Sequence, residues 1–182
     1  MLIRHADPAA DGGPCAAVYA PAVEDGVASF EEQAPDGEEM AARIERISVR
    51  YPWLVACDAD TVLGYAYATE HRSRAAYRWA ADTAVYVSPA DHRRGLGAAL
   101  YAALLGLLTE QGLYVACAGI TLPNPASVAL HERMGFVLIG HYSQIGYKRG
   151  GWRTVGWWQA RLREPVDGQT PAEPGPPARL AH

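Results

Sequence analysis

The chain has 182 residues, 49% of them hydrophobic and 20% charged, with a formal net charge of −4. That describes one globular domain with enough apolar mass for a core without metals or disulfides, and its mild acidity excludes a general nucleic-acid binder. Cys15, Cys57 and Cys117 are odd in number, far apart and form no Cys-x-x-Cys pair, which predicts reduced thiols rather than a disulfide framework or a zinc site. The N-terminus lacks a signal-like apolar core and no segment approaches membrane-spanning length, so a soluble cytoplasmic protein is expected.

In chain order, Leu2–His5 predicts a short strand. Asp7-Pro8 reads as an N-cap with proline at the first helical position, opening a helix to about Tyr19. Residues 24–35 are loop-like. Asp36-Gly37-Glu38-Glu39 matches a capping box, and Met40, Ile44 and Ile47 give a helical stripe ending near Arg50. Trp53–Asp58 and Val62–Thr69 predict a hairpin across Asp58-Ala59-Asp60, and Trp79–Val87 a third strand. After Gly97, Leu100, Leu104, Leu107 and Leu108 line one helical face up to the stop at Gln111-Gly112.

A strand over Tyr114–Ile120 and a helix over Pro125–Met134, capped by Asn124, come next. Phe136–Tyr147 and Thr154–Leu162 then form strands about the Lys148-Arg149-Gly150-Gly151 turn. From Pro165 onward the tail has five prolines and no apolar run, a composition that predicts disorder. The organisation expected is therefore a domain over 1–163 and a tail over 164–182. The element order is that of an α+β domain, a mixed sheet with helices on both faces.

One junction carries chemistry. Val85-Tyr86-Val87 runs into Ser88-Pro89-Ala90-Asp91-His92-Arg93-Arg94-Gly95-Leu96-Gly97-Ala98 and then directly into the leucine helix. Glycines free the backbone amides, and a helix N-terminus favours negative charge, so this is a place to hold a pyrophosphate. Arg93 and Arg94 oppose the helix dipole unless an anion sits there.

These motifs, with Leu122-Pro123-Asn124 and Leu130-His131-Glu132-Arg133-Met134-Gly135-Phe136, resemble the GNAT N-acetyltransferase superfamily. Tyr51-Pro52-Trp53, Arg74-Ala75-Ala76-Tyr77, Gly146-Tyr147-Lys148 and Gly151-Trp152-Arg153-Thr154-Val155-Gly156-Trp157-Trp158 narrow the resemblance to its phosphinothricin N-acetyltransferase group. The resemblance covers roughly residues 2–163. It implies the GNAT fold, a central twisted mixed sheet with a splayed strand pair that takes acetyl-CoA as co-substrate, without a metal. Val85, Tyr86 and Val87 would face the pantetheine, Arg93, Arg94, Gly95, Leu96, Gly97 and Ala98 the pyrophosphate, and Asn124 the cofactor as well. His92 departs from the Gln or Arg that usually opens the loop.

The resemblance further implies Asp82 as the base that takes the ammonium proton, where the group carries glutamate; aspartate is shorter by about 1.5 Å. His131 would protonate the leaving thiolate, and amides near Val85 would hold the oxyanion. Phe30, Arg72, Arg74 and Tyr77 would bind the acceptor, two guanidinium groups and a phenol suiting a carboxylate and a phosphinate-like group. Read plainly, the same arginines are solvated charges, Asp82 a strand aspartate, His131 a helix-surface histidine and Asn124 an N-cap. Trp152, Trp157 and Trp158 are read as core or dimer contacts.

The function expected is acetyl transfer from acetyl-CoA to the primary amine of a small amino acid or analogue (phosphinothricin, methionine sulfoximine or sulfone), by direct attack in a ternary complex. The partners expected are that amine and a second copy of the chain, with no nucleic acid and no membrane. A different amine (polyamine, antibiotic or protein N-terminus) and a catalytically silent acyl-CoA-binding module are the alternatives. Arg72 and Arg74 disfavour a polycation.

Overall fold

The computed structural model describes residues 1–180. Helix α1 covers Pro8–Glu24, capped by Asp7, whose carboxylate accepts the amides of Ala9 and Ala10. It continues past Tyr19 through Pro14 and Pro21 because Cys15, Val18, Tyr19 and Val23 are buried, so packing overrides the proline signal. Helix α2, Gly37–Ser48, is capped by Asp36 alone, since Glu39 turns to Arg43 at 2.9 Å instead of closing the capping box. The two helices cross where a Cβ on Gly12 would come within 2.5 Å of the Gly37 carbonyl, so only glycine fits there.

Strands β1 (Leu2–His5), β2 (Trp53–Asp58), β3 (Thr61–Glu70) and β4 (Ala80–Val87) are successively antiparallel. Helix α3 (Leu96–Gln111) leads to β5 (Val115–Leu122), α4 (Pro125–Arg133) and a long hairpin of β6 (Val137–Lys148) and β7 (Gly151–Arg161). The sheet order is β1-β2-β3-β4-β5-β7-β6, with β4–β5 the single parallel pair among the described residues. This is the mixed α+β sheet that the element order predicts. Strand β7 starts three residues earlier than the sequence suggests. Arg149 and Gly150, both at positive φ, turn the chain tightly enough for Lys148 to pair with Gly151.

Period-two alternation along β4 sends Ala81 and Val85 to a cluster under α3, with Leu100, Leu104 and Leu108 fully buried. Tyr86 goes to the opposite cluster, beneath α1 and α2, with Cys15, Met40, Ile44 and Trp53. Each fully buried leucine contributes about 1.5–3 kcal/mol.

Residues 164–180 form no helix or strand, yet the tail makes defined contacts where composition predicts disorder. Gly175 and Gln111 exchange hydrogen bonds (2.7 and 3.1 Å), the Trp79 indole donates to the Ala172 carbonyl at 2.8 Å, and Ala178 and Leu180 pack on the α3 core. Unpaired backbone groups at the helix end supply partners that tail composition does not reveal. No helix among the described residues is long and apolar enough to cross a membrane.

Candidate functional site

Strands β4 and β5 pair only from Ala80–Asp82 to Val115–Cys117, and then separate. Beyond that fork β5 keeps its partner β7, while Thr83–Val87 pair on the β3 side alone. A cleft of about 830 Å³ opens between Val85, Tyr86 and Val87 on one wall and Gly119, Ile120 and Thr121 on the other. That is the size of a small-molecule site. Thr83, buried at the fork, donates its hydroxyl to the Cys117 carbonyl at 3.0 Å and ties the strands where they part.

The far end of the cleft is the loop before α3. Arg93 and Gly95 both adopt positive φ, 62° and 80°, and no side chain caps Gly95. Such alternation turns successive amides inward as an anion nest at a positive helix end. Arg93, Gly95, Leu96, Gly97 and Ala98 line the cleft. Arg94 turns its guanidinium to the Asp91 carboxylate. His92 donates from Nε2 to the Val87 carbonyl at 3.0 Å and pins the loop to the end of β4. Asn124 caps α4 by accepting the Ser127 amide at 3.1 Å, and it also lines the cleft. The cap and the site are compatible in one residue.

The two candidate proton-handling residues lie on opposite faces of the sheet. His131, on the α3/α4 side, is 4% exposed. Its Nδ1 is 2.7 Å from the Ser127 carbonyl, which can only accept, so Nδ1 carries the hydrogen. Nε2 therefore accepts from the Tyr101 hydroxyl at 2.7 Å. Burial lowers the pKa of His131 and the Ser127 hydrogen bond only partly opposes it, so the ring is neutral. Both ring nitrogens are engaged. Tyr101 and His131 both line the cleft.

On the other face, Asp82 occupies the last paired rung of the fork. Its carboxylate is 2.6 Å from Nδ1 of His71. Burial pushes the Asp82 pKa up, against the hydrogen bond and charge of His71 and the charge of Arg72. Cys117 completes the cluster, its thiol pushed up to about 11 by burial. The three side chains have donor atoms within 4.8 Å of one another. However, 2.6 Å is a hydrogen-bond distance, shorter than the roughly 3.3 Å between neighbouring ligands in tetrahedral zinc geometry. The cluster is arranged to share a proton.

Around this pair, the His71 ring meets Tyr77 and Trp157 edge-on at 5.9 and 6.2 Å, and the Arg72 guanidinium lies over Trp157 at 5.9 Å. Arg72 and Tyr77 are thus brought to Asp82 through His71 and Trp157. Arg74 is exposed at the start of the short 3₁₀ turn Ala75–Tyr77. Phe30 lies across the backbone of Gly146 in β6, where a Cβ would come within 2.3 Å of its ring. Trp158 is buried, whereas Trp152 is 62% exposed.

Sequence reasoning missed His71 and Tyr101. Thr69 pairs with Asp82 across β3–β4, so two further residues along bring His71 to the same face, a signal visible only once the strands are paired. Tyr101 sits among the leucines of α3 and reads there as core.

Residues 22–136 match the family model described as acetyltransferase (GNAT) family. A phosphinothricin N-acetyltransferase of Streptomyces viridochromogenes is 40% identical over 154 residues, 85% of this chain and 81% of that protein. An L-methionine sulfoximine/L-methionine sulfone acetyltransferase of Salmonella typhimurium is 34% identical over 90% of this chain and 96% of its own length. Among solved structures, a GNAT superfamily phosphinothricin acetyltransferase from Sinorhizobium meliloti, in complex with acetyl-CoA, superposes with a TM-score of 0.85. It is 36% identical and the match covers 92% of this chain and 94% of that one. With this fold, and with the family model spanning more than half its length, the chain belongs to the GNAT acetyltransferase family.

Proposed function

We propose that the chain transfers the acetyl group of acetyl-CoA directly to the primary amine of a small amino acid or analogue of the phosphinothricin and methionine sulfoximine type. The observation that carries this reading is the continuity of one cleft from the anion nest at Gly95–Ala98 to Thr83 at the fork, the residue next to Asp82 on the last β4–β5 rung. The amides of Gly95–Ala98 hold the pyrophosphate, the backbone of Val85–Val87 guides the pantetheine, and Asn124 contributes from α4. The names of the relatives support the acceptor class.

At the fork, the Asp82 side receives the ammonium proton as the amine attacks. Amides near Val85 stabilise the oxyanion. The departing sulfur lies on the Tyr101–His131 side, where the Tyr101 hydroxyl turns from Nε2 of His131 to protonate it. Arg72, Arg74 and Tyr77 orient the acceptor's anionic groups, and Phe30 closes its apolar flank. The reading places the protein in the cytoplasm, in keeping with three free, buried cysteines. It also includes a homodimer: β6 is an edge strand with Val137, Ile139 and Tyr147 more than half exposed, an apolar face that a second copy would cover.

The test is thiol release from acetyl-CoA against phosphinothricin, methionine sulfoximine, methionine sulfone, common amino acids and spermidine. Turnover confined to the amino-acid group supports the reading. Turnover with spermidine alone, or binding of acetyl-CoA with no turnover on any amine, overturns it.

A further inference from the structure

Asp82 is one methylene shorter than the glutamate that the family resemblance implies at this position, and the space beside it is occupied by an imidazole 2.6 Å away. We propose that His71 and Asp82 act as one base, in which Asp82 holds Nδ1–H of His71 and Nε2 of His71 takes the proton of the acceptor ammonium. This rests on the reading of the site as an amine acetylation centre and names the atom that receives the proton.

Three observations carry the proposal. The first is the contact itself. A 2.6 Å separation between a ring nitrogen and a carboxylate oxygen is a charge-assisted hydrogen bond, and it fixes the tautomer in which Nε2 is the free basic atom. The second is support for the ring from several elements. Tyr77 of the 3₁₀ turn and Trp157 of β7 meet its edges, and Arg72 lies over the same tryptophan. A ring so held keeps one orientation while its side chain remains 17% exposed, enough to meet a small ligand. The third is position. The pair sits at the last rung before β4 leaves β5, on the face opposite Tyr101 and His131. A proton removed there leaves on the side away from the sulfur.

The charged and titratable groups facing the ring are the Asp82 carboxylate on β4, the Cys117 thiol on β5, the Tyr77 phenol and the neighbouring Arg72 guanidinium. Cys117 is uncharged, since burial holds its pKa at about 11. The local charges are therefore one carboxylate and one guanidinium, and the carboxylate is the one in direct contact.

The step balances without any further reagent. Nε2 takes one ammonium proton, the freed nitrogen lone pair forms the C–N bond, and the C–S bond then breaks with its electron pair going to sulfur; the second proton, which the nitrogen loses on becoming an amide, balances the one the thiolate takes up. Nδ1–H stays donated to Asp82 throughout. The imidazolium gives its proton to solvent after the amide leaves.

The experiment compares wild type with His71→Asn, whose amide still donates toward Asp82, and with His71→Phe, which fills the space without donating. Both variants should lose about 10²–10³-fold in kcat with the acetyl-CoA KM within about twofold. The acid limb of kcat/KM should move to lower pH in His71→Asn, because a carboxylate would be the only base left. Nitrogen-15 NMR of the wild-type imidazoles, read without turnover, should show Nδ1 protonated at every pH and Nε2 titrating. A fall in kcat with an unmoved acid limb would assign His71 a structural role and overturn the proposal. So would a neutral ring protonated at Nε2. If wild type acetylates no amine, the functional reading itself fails, and the NMR spectrum still decides by itself whether the pair holds the proposed tautomer.

Discussion

At the fork between β4 and β5, one face of the sheet holds a dry pair, Tyr101 and His131, and the other a wetter pair, His71 and Asp82. Tyr101 is fully buried and His131 is 4% exposed, whereas the His71 and Asp82 side chains are 17% and 28% exposed. Both pairs are short hydrogen bonds, 2.7 and 2.6 Å, to a histidine. What differs is the ionisable partner. A phenol pushed well above its ordinary range stays protonated and can donate, while a carboxylate on a partly solvated face can accept and leave a ring nitrogen basic. Acyl transfer to an amine uses a group that takes a proton from nitrogen and one that supplies a proton to sulfur.

The sharpest way to break this comparison is Asp82→Ala. It should lower kcat about 10³-fold while the acetyl-CoA dissociation constant changes by less than about twofold, as steady-state thiol release and calorimetry would show. Equal losses in both would make Asp82 structural. Tyr101→Phe should lower kcat about 10–100-fold and cost about 1–3 kcal/mol in denaturant unfolding, because Nε2 of His131 is left buried without a donor. A stability loss with unchanged kcat would confine that pair to packing.

Gly95→Ala probes the far end of the same cleft. A methyl group at φ 80° strains the nest, so acetyl-CoA KM should rise several-fold, with stability lower by about 1 kcal/mol and kcat little changed. The smallest effect expected is on pH-dependent stability, and the two faces should differ in sign. Asp82 titrates above its unfolded value of 3.8, so its contribution is full below pH 3.8 and is lost as pH rises through the folded value. Asp82→Asn should therefore raise Tm at pH 7 while lowering turnover. His131 titrates below 6.5, so its contribution is full above pH 6.5 and is lost as pH falls through the folded value, measurable as acid-side destabilisation that His131→Phe reduces.

Much of the fold was legible because its elements follow local rules. β2 is bounded as its β-branched and apolar run suggests, and α3 ends at Gly112 in the left-handed conformation. The loop before α3 was legible for the same reason, since glycine and charge placement are local signals. Tertiary features were not. Helix α1 outruns its prolines because its buried face carries it, and the tail follows α3 through backbone partners that proline content hides. Within the site, Asp82 and His131 were readable from motif, but their partners were not. His71 meets Asp82 only through the β3–β4 register, and Tyr101 meets His131 only through the packing of α3 on α4.

The most direct test of the two-faced fork is a crystal structure of a dead-end complex with CoA and phosphinothricin. The pyrophosphate is expected on the Gly95–Ala98 amides, the sulfur in the fork beside Tyr101, and the acceptor nitrogen on the His71–Asp82 side. An acceptor nitrogen on the same face of the sheet as Tyr101 and His131 would contradict that arrangement.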